Sequence, residues 1–208
     1  MKILDELVER YPRLDCCKDE INAGFELLRE TYDRKGKVLA CGNGGSCSDS
    51  EHIVGELMKK FKVARPLDKD FIDRLNAYGE KGEFLSEKLE AGLPAISLAS
   101  HPSLSTAYLN DNTPELTFAQ QLLVLGNEND TLIAISTSGN SVNCVYAAIC
   151  AKAKGMNVLA LTGKKESRLS EIADVTIKAP ESETYLIQEC HLPIYHALCA
   201  MLEEYYFG

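Results

Sequence analysis

The chain has 208 residues, of which 45% are hydrophobic and 25% are charged, and its formal net charge is −9. This composition is that of an ordinary soluble globular protein, and the acidic balance argues against a nucleic-acid partner, which normally calls for a basic surface stripe. No apolar run approaches the roughly 20 residues of a membrane span, so we expect no membrane partner either.

The first 35 residues are predicted to form N-terminal helices. Apolar residues recur at helical spacing over 2–34, in two segments that break near Asp15-Cys16-Cys17. The opening stretch is typical of an acidic amphipathic helix rather than of a secretory signal. Eight cysteines without a CxxC pair then predict reduced thiols in a cytoplasmic protein. Cys47 is the exception, because a thiol near a helix N-terminus can have a lowered pKa.

The first strand–turn–helix unit joins a predicted strand at 37–41 to a predicted helix at 46–62. Its turn, at 42–46, consists of glycine, asparagine and serine. Glycines let the backbone approach an anion closely, and the helix start aims free N–H groups at the same point. The turn is neither a Walker A loop nor a full dinucleotide fingerprint, and alone it is equally well explained as a tight turn without a ligand. His52 and Glu56, four residues apart, share a face of the helix.

Residues 63–93 form a charged insertion after that helix. They contain helix-like runs at 68–75 and 84–89. A solvated excursion is the simpler interpretation, although long insertions in compact domains often form lids.

The remaining chain alternates short apolar strands with helices. Further strands are predicted at 94–98, 131–135, 157–161 and 175–179, and helices at 114–125, 140–155 and 184–206. Apolar strands separated by helices indicate a parallel sheet covered on both faces. Ligands bind such sheets at the carboxyl ends of the strands. Nothing in the composition demands a second domain, so we expect a single domain over 1–208.

A second turn, at 136–141, follows the strand at 131–135. Four of its six residues carry hydroxyls, next to a glycine and a helix start. These groups can surround a phosphate with O–H and N–H donors without adding charge. Helix capping would explain one or two of the hydroxyls, but hardly four. Two such turns at one sheet edge favour a ligand the size of a phosphosugar.

The final helix carries the third group of polar residues. Gln188 and His196 are eight residues apart, about two turns, and so lie on roughly the same side. The segments around His52 and His196 contain three of the four histidines of the chain, the third being His191, which we predict to be structural. Alone, His52 and Glu56 would be an ordinary surface pair; with this helix they favour a chemical site.

These motifs resemble a known family. The matching segments are CGNGGS at 41–46, His52-x-x-x-Glu56-Leu, Asn110-Asp111, STSGNS at 136–141, LTGK at 161–164, and Gln188-Glu-x-His191 with His196. The chain resembles the sugar isomerase (SIS) domain superfamily, and within it the phosphoheptose isomerases, over nearly its whole length outside 63–93. The resemblance implies a three-layer α/β/α sandwich of flavodoxin- or Rossmann-like type with a five-stranded parallel sheet. It also implies a homotetramer whose active sites form between subunits.

The resemblance also implies roles for individual residues. Glu56 corresponds to the catalytic base and His196 to the acid. The phosphate of the substrate falls on Ser136, Thr137, Ser138 and Ser141. Other substrate contacts fall on Asn43, Gly44, Ser46, Asp111 and Gln188. Some members hold a zinc ion between residues that match His52, Glu56, Gln188 and His196.

The reaction implied is an aldose–ketose isomerisation through an enediol(ate), converting sedoheptulose 7-phosphate to D-glycero-D-manno-heptose 7-phosphate. A carboxylate suits the proton transfer next to the carbonyl, and an imidazole can donate to the developing oxyanion. Zinc could polarise that oxygen. One alternative is an isomerase of another phosphosugar. A further alternative is a non-catalytic SIS module that senses a phosphosugar or binds another protein, but a matched acid and base favour the enzyme.

Overall fold

A computed structural model describes residues 2–208 of the chain. Its sheet has five parallel strands in the spatial order β2-β1-β3-β4-β5. The strands are β1 (Val38–Gly42), β2 (Ala95–Ser97), β3 (Thr131–Ile135), β4 (Asn157–Thr162) and β5 (Val175–Lys178). All five predicted strands are therefore confirmed, with ends that differ by a residue or two.

The helices fill the connections between these strands. They are α1 (Lys2–Arg10), α2 (Lys18–Asp33), α3 (Gly45–Met58), α4 (Lys69–Asn76), α5 (Glu80–Lys88), α6 (Pro102–Asp111), α7 (Thr117–Leu125), α8 (Val142–Ala153), α9 (Arg168–Ile172) and α10 (Thr184–Phe207). Short 3₁₀ turns at Pro12–Cys17 and Pro114–Leu116 precede α2 and α7. No helix within 2–208 is both long enough and apolar enough to span a membrane.

The sheet separates two apolar layers, because successive side chains of a strand point to opposite faces. Leu39 and Leu132 face one core and Ala40 and Ile133 the other. The first core contains residues of α7, α8 and α9, and the second contains residues of α1, α2, α3 and α10. The predicted three-layer α/β/α sandwich is thus confirmed.

The strand order reverses at β1, which pairs with β2 on one side and β3 on the other. In open parallel sheets, ligands bind in the crevice outside the carboxyl ends at such a switch point. Gly42 lies opposite Ile135 in the register. The turns that follow β1 and β3 therefore leave the sheet side by side.

Two helices, α6 and α9, were not predicted. Helix α6 contains no buried residue, so it lacks the apolar stripe on which a sequence prediction depends. Helix α9 has only five residues and one buried side chain, Leu169. Pro193 lies inside α10, which continues past it to Phe207.

The charged insertion forms the helix pair α4 and α5. The two helices pack on each other and bury almost nothing: α4 has no buried residue and α5 buries only Gly82. Tyr78 and Phe84 are exposed at 83% and 61%. The helix-like runs predicted in this segment are present, although α5 begins at Glu80, four residues before the predicted start.

Candidate active site

The turns after β1 and β3 are joined at the switch point by two asparagines. Asn43 Nδ2 donates to Asn143 Oδ1 at 2.9 Å, and Asn143 Nδ2 donates to Asn43 Oδ1 at 2.8 Å. Gly44 has a φ of 56°, a value that L side chains rarely adopt, and α3 begins at the next residue. Ser46, in the first turn of α3, is buried. The first predicted turn thus lies against the start of α8.

Residues 136–141, here called the hydroxyl loop, are held in a tight conformation. Ser136 Oγ lies 2.9 Å from Ser141 Oγ, and the N–H of Gly139 donates to Ser136 O at 2.8 Å. Thr137 is partly exposed and Ser138 is exposed, and both line a cavity of about 210 Å³ that Lys164, Glu166 and Glu181 also line. The loop therefore presents hydroxyls to a space that both lysine and glutamate side chains border.

A second group lies where α3 packs on α10. His52 Nε2 is 3.3 Å from Glu56 Oε1 and 3.5 Å from His196 Nε2. The Glu56 side chain is only 12% exposed, and Lys59 Nζ approaches its other oxygen at 3.3 Å. His52, Glu56 and His196 are called the histidine–glutamate cluster below. The structure thus brings together three residues selected from the sequence.

The other nitrogen of His52 contacts residues that were not selected from the sequence. His52 Nδ1 lies 3.0 Å from the Tyr195 hydroxyl, which donates to Asp49 Oδ1 at 3.2 Å. Asp49 Oδ2 is buried without a partner, and burial raises the pKa of the Asp49 carboxyl. Asp49 could have been selected from the sequence, because it lies three residues before His52 on the same helix. Tyr195 could not, because its contact depends on how α10 crosses α3.

His196 stands at the wall of a groove between α1 and α10. The groove has a volume of about 190 Å³ and is also lined by Arg10, Tyr11 and Phe61. Burial, and then the neighbouring His52, lower the pKa of His196. Near neutral pH the imidazole is therefore mostly uncharged, with one N–H to donate.

Gln188 lies apart from the histidine–glutamate cluster. Its amide packs on Gly45 so closely that a Cβ there would stand 2.7 Å from Gln188 Nε2. At 1.5 Å per residue, His52 is about 10 Å and Glu56 about 16 Å further along α3. No hydrogen bond joins Gln188 to the cluster in the described part of the chain. Gln188 as a metal ligand or substrate contact stays a prediction.

Within residues 2–208, no hydrogen bond joins Asp111 to these groups. It is the exposed last residue of α6, and its Oδ1 accepts a hydrogen bond from Asn110 Nδ2 at 2.8 Å. Its predicted role at the site remains a prediction.

Burial shifts the pKa values of two further side chains, His191 and Cys47. His191 is fully buried with Nε2 3.1 Å from Thr162 O, and burial lowers its pKa to about 4, as suits a structural histidine. For Cys47 the predicted lowered pKa is wrong, since burial and then the nearby Glu51 raise it. All eight cysteines are free.

Within residues 2–208, no three His, Cys, Asp or Glu side chains are arranged as a ready metal-binding group. The short contacts of the histidine–glutamate cluster both involve His52, which meets Glu56 on one side and His196 on the other. Zinc binding by these residues therefore stays a prediction.

The doubly wound parallel sheet is the fold of the sugar isomerase class, and it carries a hydroxyl loop at the switch point and a mostly buried carboxylate beside two histidines. The SIS domain model matches residues 85–163. The phosphoheptose isomerase of Helicobacter pylori (strain P12) is 36% identical over 193 residues, which cover 93% of this chain and 88% of that protein. The chain belongs to the phosphoheptose isomerase family, whose members are aldose–ketose isomerases.

Solved structures agree with this assignment. The phosphoheptose isomerase of Francisella tularensis is 27% identical, with 98% of this chain and 100% of that one covered and a TM-score of 0.74. That of Neisseria gonorrhoeae is 28% identical, with 95% and 98% covered and a TM-score of 0.70. The family and fold predicted from the motifs are confirmed.

Proposed function

We propose that this protein converts sedoheptulose 7-phosphate to D-glycero-D-manno-heptose 7-phosphate, with Glu56 as the base and His196 as the acid. The observation that carries the proposal is the histidine–glutamate cluster, in which a mostly buried carboxylate lies beside two imidazoles. A carboxylate next to proton donors is what an enediol(ate) mechanism requires.

The proton transfers would take place on Glu56. Its carboxylate removes the proton from the carbon next to the carbonyl and returns it to the neighbouring carbon, so that no net proton is consumed. His196, mostly neutral because its pKa is lowered, donates its proton to the developing oxyanion and takes one back from the neighbouring hydroxyl, which becomes the new carbonyl. A donor already oriented toward that oxygen stabilises the enediolate relative to the ketose, because it needs no reorganisation when the charge develops.

The hydroxyl loop would hold the phosphate through Ser136, Thr137, Ser138 and Ser141. Its neutral donors and the N-terminus of α8 suit a dianion, and Lys164 adds charge at the edge of the cavity. Asn43, Gly44 and Ser46 would contact the substrate from the β1 side, because the asparagine pair ties that turn to α8. Asp111 and Gln188 are further proposed contacts.

The donor set also suits a zinc ion. His52, Glu56 and His196 offer the nitrogen and oxygen atoms that zinc accepts, whereas the Gln188 amide, packed on Gly45, would have to move toward them to serve as the fourth ligand. His52 Nε2, which lies 3.3 Å from Glu56 Oε1 and 3.5 Å from His196 Nε2, would be the central ligand of such a site. When bound, zinc would polarise the substrate oxygen.

We further propose a homotetramer of single-domain chains, with active sites between subunits, in the cytoplasm. Within one chain the hydroxyl loop lies at the sheet edge where α3 begins, whereas Glu56 is about 16 Å along that helix. A small substrate can contact both the hydroxyl loop and Glu56 more readily if the two come from different subunits. Exposed Leu123, Val124, Tyr146 and Ile149 on α7 and α8 offer apolar surface for assembly. Eight free thiols suit a reducing compartment.

The test is an isomerase assay on purified protein with sedoheptulose 7-phosphate, with and without zinc. We expect turnover by the wild type and a loss of about 10²-fold or more in kcat for Glu56→Gln and His196→Gln. Glu51→Gln, an exposed carboxylate on the same helix, is the matched control and should leave kcat unchanged. Wild-type protein without turnover under both conditions would refute the proposal, whereas phosphosugar binding without turnover would identify a sensing module.

A further inference from the structure

We infer that Tyr195, anchored by Asp49, is a positioning residue that sets which ring nitrogen of His52 carries the proton. The inference rests on the proposed function insofar as it assigns His52 to a metal ion. Neither Tyr195 nor Asp49 belongs to the motifs that carry the family resemblance.

The Tyr195 hydroxyl lies between two polar groups. It donates to Asp49 Oδ1 at 3.2 Å and meets His52 Nδ1 at 3.0 Å. The Tyr195 side chain is 2% exposed and makes edge contacts with the rings of His52 and His196, at centroid distances of 5.5 and 5.1 Å. Its hydroxyl is therefore fixed in this position by packing.

The single hydroxyl proton of Tyr195 belongs with Asp49. A carboxylate can only accept, and Asp49 Oδ2 is already buried without a partner, so losing the tyrosine would leave the anion with no donor at either oxygen. Once the proton points to Asp49, the lone pairs of the hydroxyl face His52 Nδ1, which must then carry a hydrogen. In neutral His52 the proton is thus on Nδ1, and Nε2 is a free lone pair.

That lone pair faces the Glu56 carboxylate. His52 Nε2 is 3.3 Å from Glu56 Oε1, and two acceptors at this distance repel unless a proton or a cation lies between them. Tyr195 therefore prepares Nε2 to bind a divalent metal ion. Without its hydroxyl, the imidazole proton could move to Nε2 and donate to Glu56, and a metal would then have to displace it.

Tyr195→Phe removes only the hydroxyl and keeps the buried ring. The matched control is Tyr206→Phe, because Tyr206 also donates to a carboxylate, Asp33 Oδ1, at 2.8 Å but lies away from the cluster. The first measurement is nitrogen-15 NMR of metal-free protein with labelled histidines. We expect His52 to show the Nδ1–H tautomer in the wild type and in Tyr206→Phe, and a shift to Nε2–H in Tyr195→Phe.

The second measurement is the affinity for zinc alone, by competition with a chelator. Loss of a partner that orients a ligating histidine typically weakens metal binding by about 10- to 100-fold, and we expect this for Tyr195→Phe only. Asp49→Ala should produce the same tautomer shift, because the hydroxyl is then free to donate to His52, and it serves if Tyr195→Phe does not fold.

An unchanged tautomer and an unchanged zinc affinity in both Tyr195→Phe and Asp49→Ala would overturn the inference. Neither measurement uses the isomerase reaction. If the wild type fails to isomerise the sugar while the tautomer and affinity shifts occur, the proposed function fails and the inference stands.

Discussion

At the scale of single residues, His191 ties stability to pH. Its ring donates from Nε2 to Thr162 O, and its Nδ1 is buried without a partner, so a second proton would have no acceptor. Burial lowers the pKa of His191 from 6.5 to about 4. Its contribution to stability is complete above pH 6.5, the pKa of histidine in the unfolded chain. This contribution is lost as the pH falls from 6.5 toward 4, because over that range the unfolded state binds a proton that the folded state does not.

We therefore expect the free energy of unfolding to fall by on the order of 3 kcal/mol between pH 6.5 and 4 because of this residue. In His191→Gln, whose amide can still donate to Thr162 O, that part of the slope should be missing. Urea unfolding of both proteins across this range measures it. Equal slopes would contradict the assignment.

Gly139 in the hydroxyl loop also has a residue-scale consequence. Its φ of 65° and a Cβ position only 2.1 Å from Ser167 Oγ leave no room for a side chain. Gly139→Ala should destabilise the protein by more than about 1 kcal/mol and weaken phosphosugar binding, as measured by urea unfolding and calorimetry. Gly55→Ala is the control: nothing lies within 4 Å of its Cβ position, and in helix α3 it should stabilise by about 0.5–1 kcal/mol. Similar effects from the two changes would contradict this account.

At the scale of elements, Arg65, in the segment that follows α3, links the end of α3 to Glu203 of α10. Arg65 and Glu203 have side chains 0% and 1% exposed, with Nε 2.8 Å from Oε1. The guanidinium also donates to the carbonyl of Glu56 at 2.8 Å, which fixes the last turn of α3. Burial alone would raise the pKa of Glu203, but backbone N–H groups of 61–63 and Arg65 outweigh it, and the pKa is lowered. The pair thus holds the helix of Glu56 against the helix of His196.

Breaking this pair should affect both stability and catalysis. Arg65→Met and Glu203→Gln should each cost about 3–5 kcal/mol, because each leaves a buried charge without its partner, and the double variant should cost less than their sum. The folded fraction should show a lowered kcat, since the turn carrying Glu56 is freed. Arg34→Met, from an exposed pair with Glu30, should cost under about 1 kcal/mol. Additive costs in urea unfolding would rule out the coupling.

The elements also show what the sequence could predict. The strands are predictable because they are apolar along their length, and α3 and α10 because their motifs mark them. The contact of Tyr195 with His52 was not predictable, since it depends on the rotation of two helices about their axes, which no local pattern encodes. The role of Arg65 was not predictable either. Arg65 lies in an irregular segment, and its role is evident only from the carbonyls to which it donates.

At the scale of the whole molecule, the switch point was predictable in outline. The carboxyl ends of parallel strands meet at one edge of a sheet, so the turns after β1 and β3 belong at the same edge. The axial distance between that edge and the histidine–glutamate cluster was not predictable, because it depends on where along α3 the functional residues lie relative to the sheet. This distance is the basis for our proposal that the site is shared between subunits.

Mixed oligomers test that arrangement directly. Glu56→Gln and a loop variant, Thr137→Ala with Ser138→Ala, should each be inactive alone, but co-expressed with different tags they should regain about a quarter of wild-type activity, because random pairing restores one site in four. Mixing Glu56→Gln with His196→Gln should restore nothing, since both residues lie in the same cluster of one chain. If the first mixture is also inactive in the isomerase assay, the loop and the cluster of a site come from the same subunit. Recovery in the first mixture alone requires that two chains build each active site.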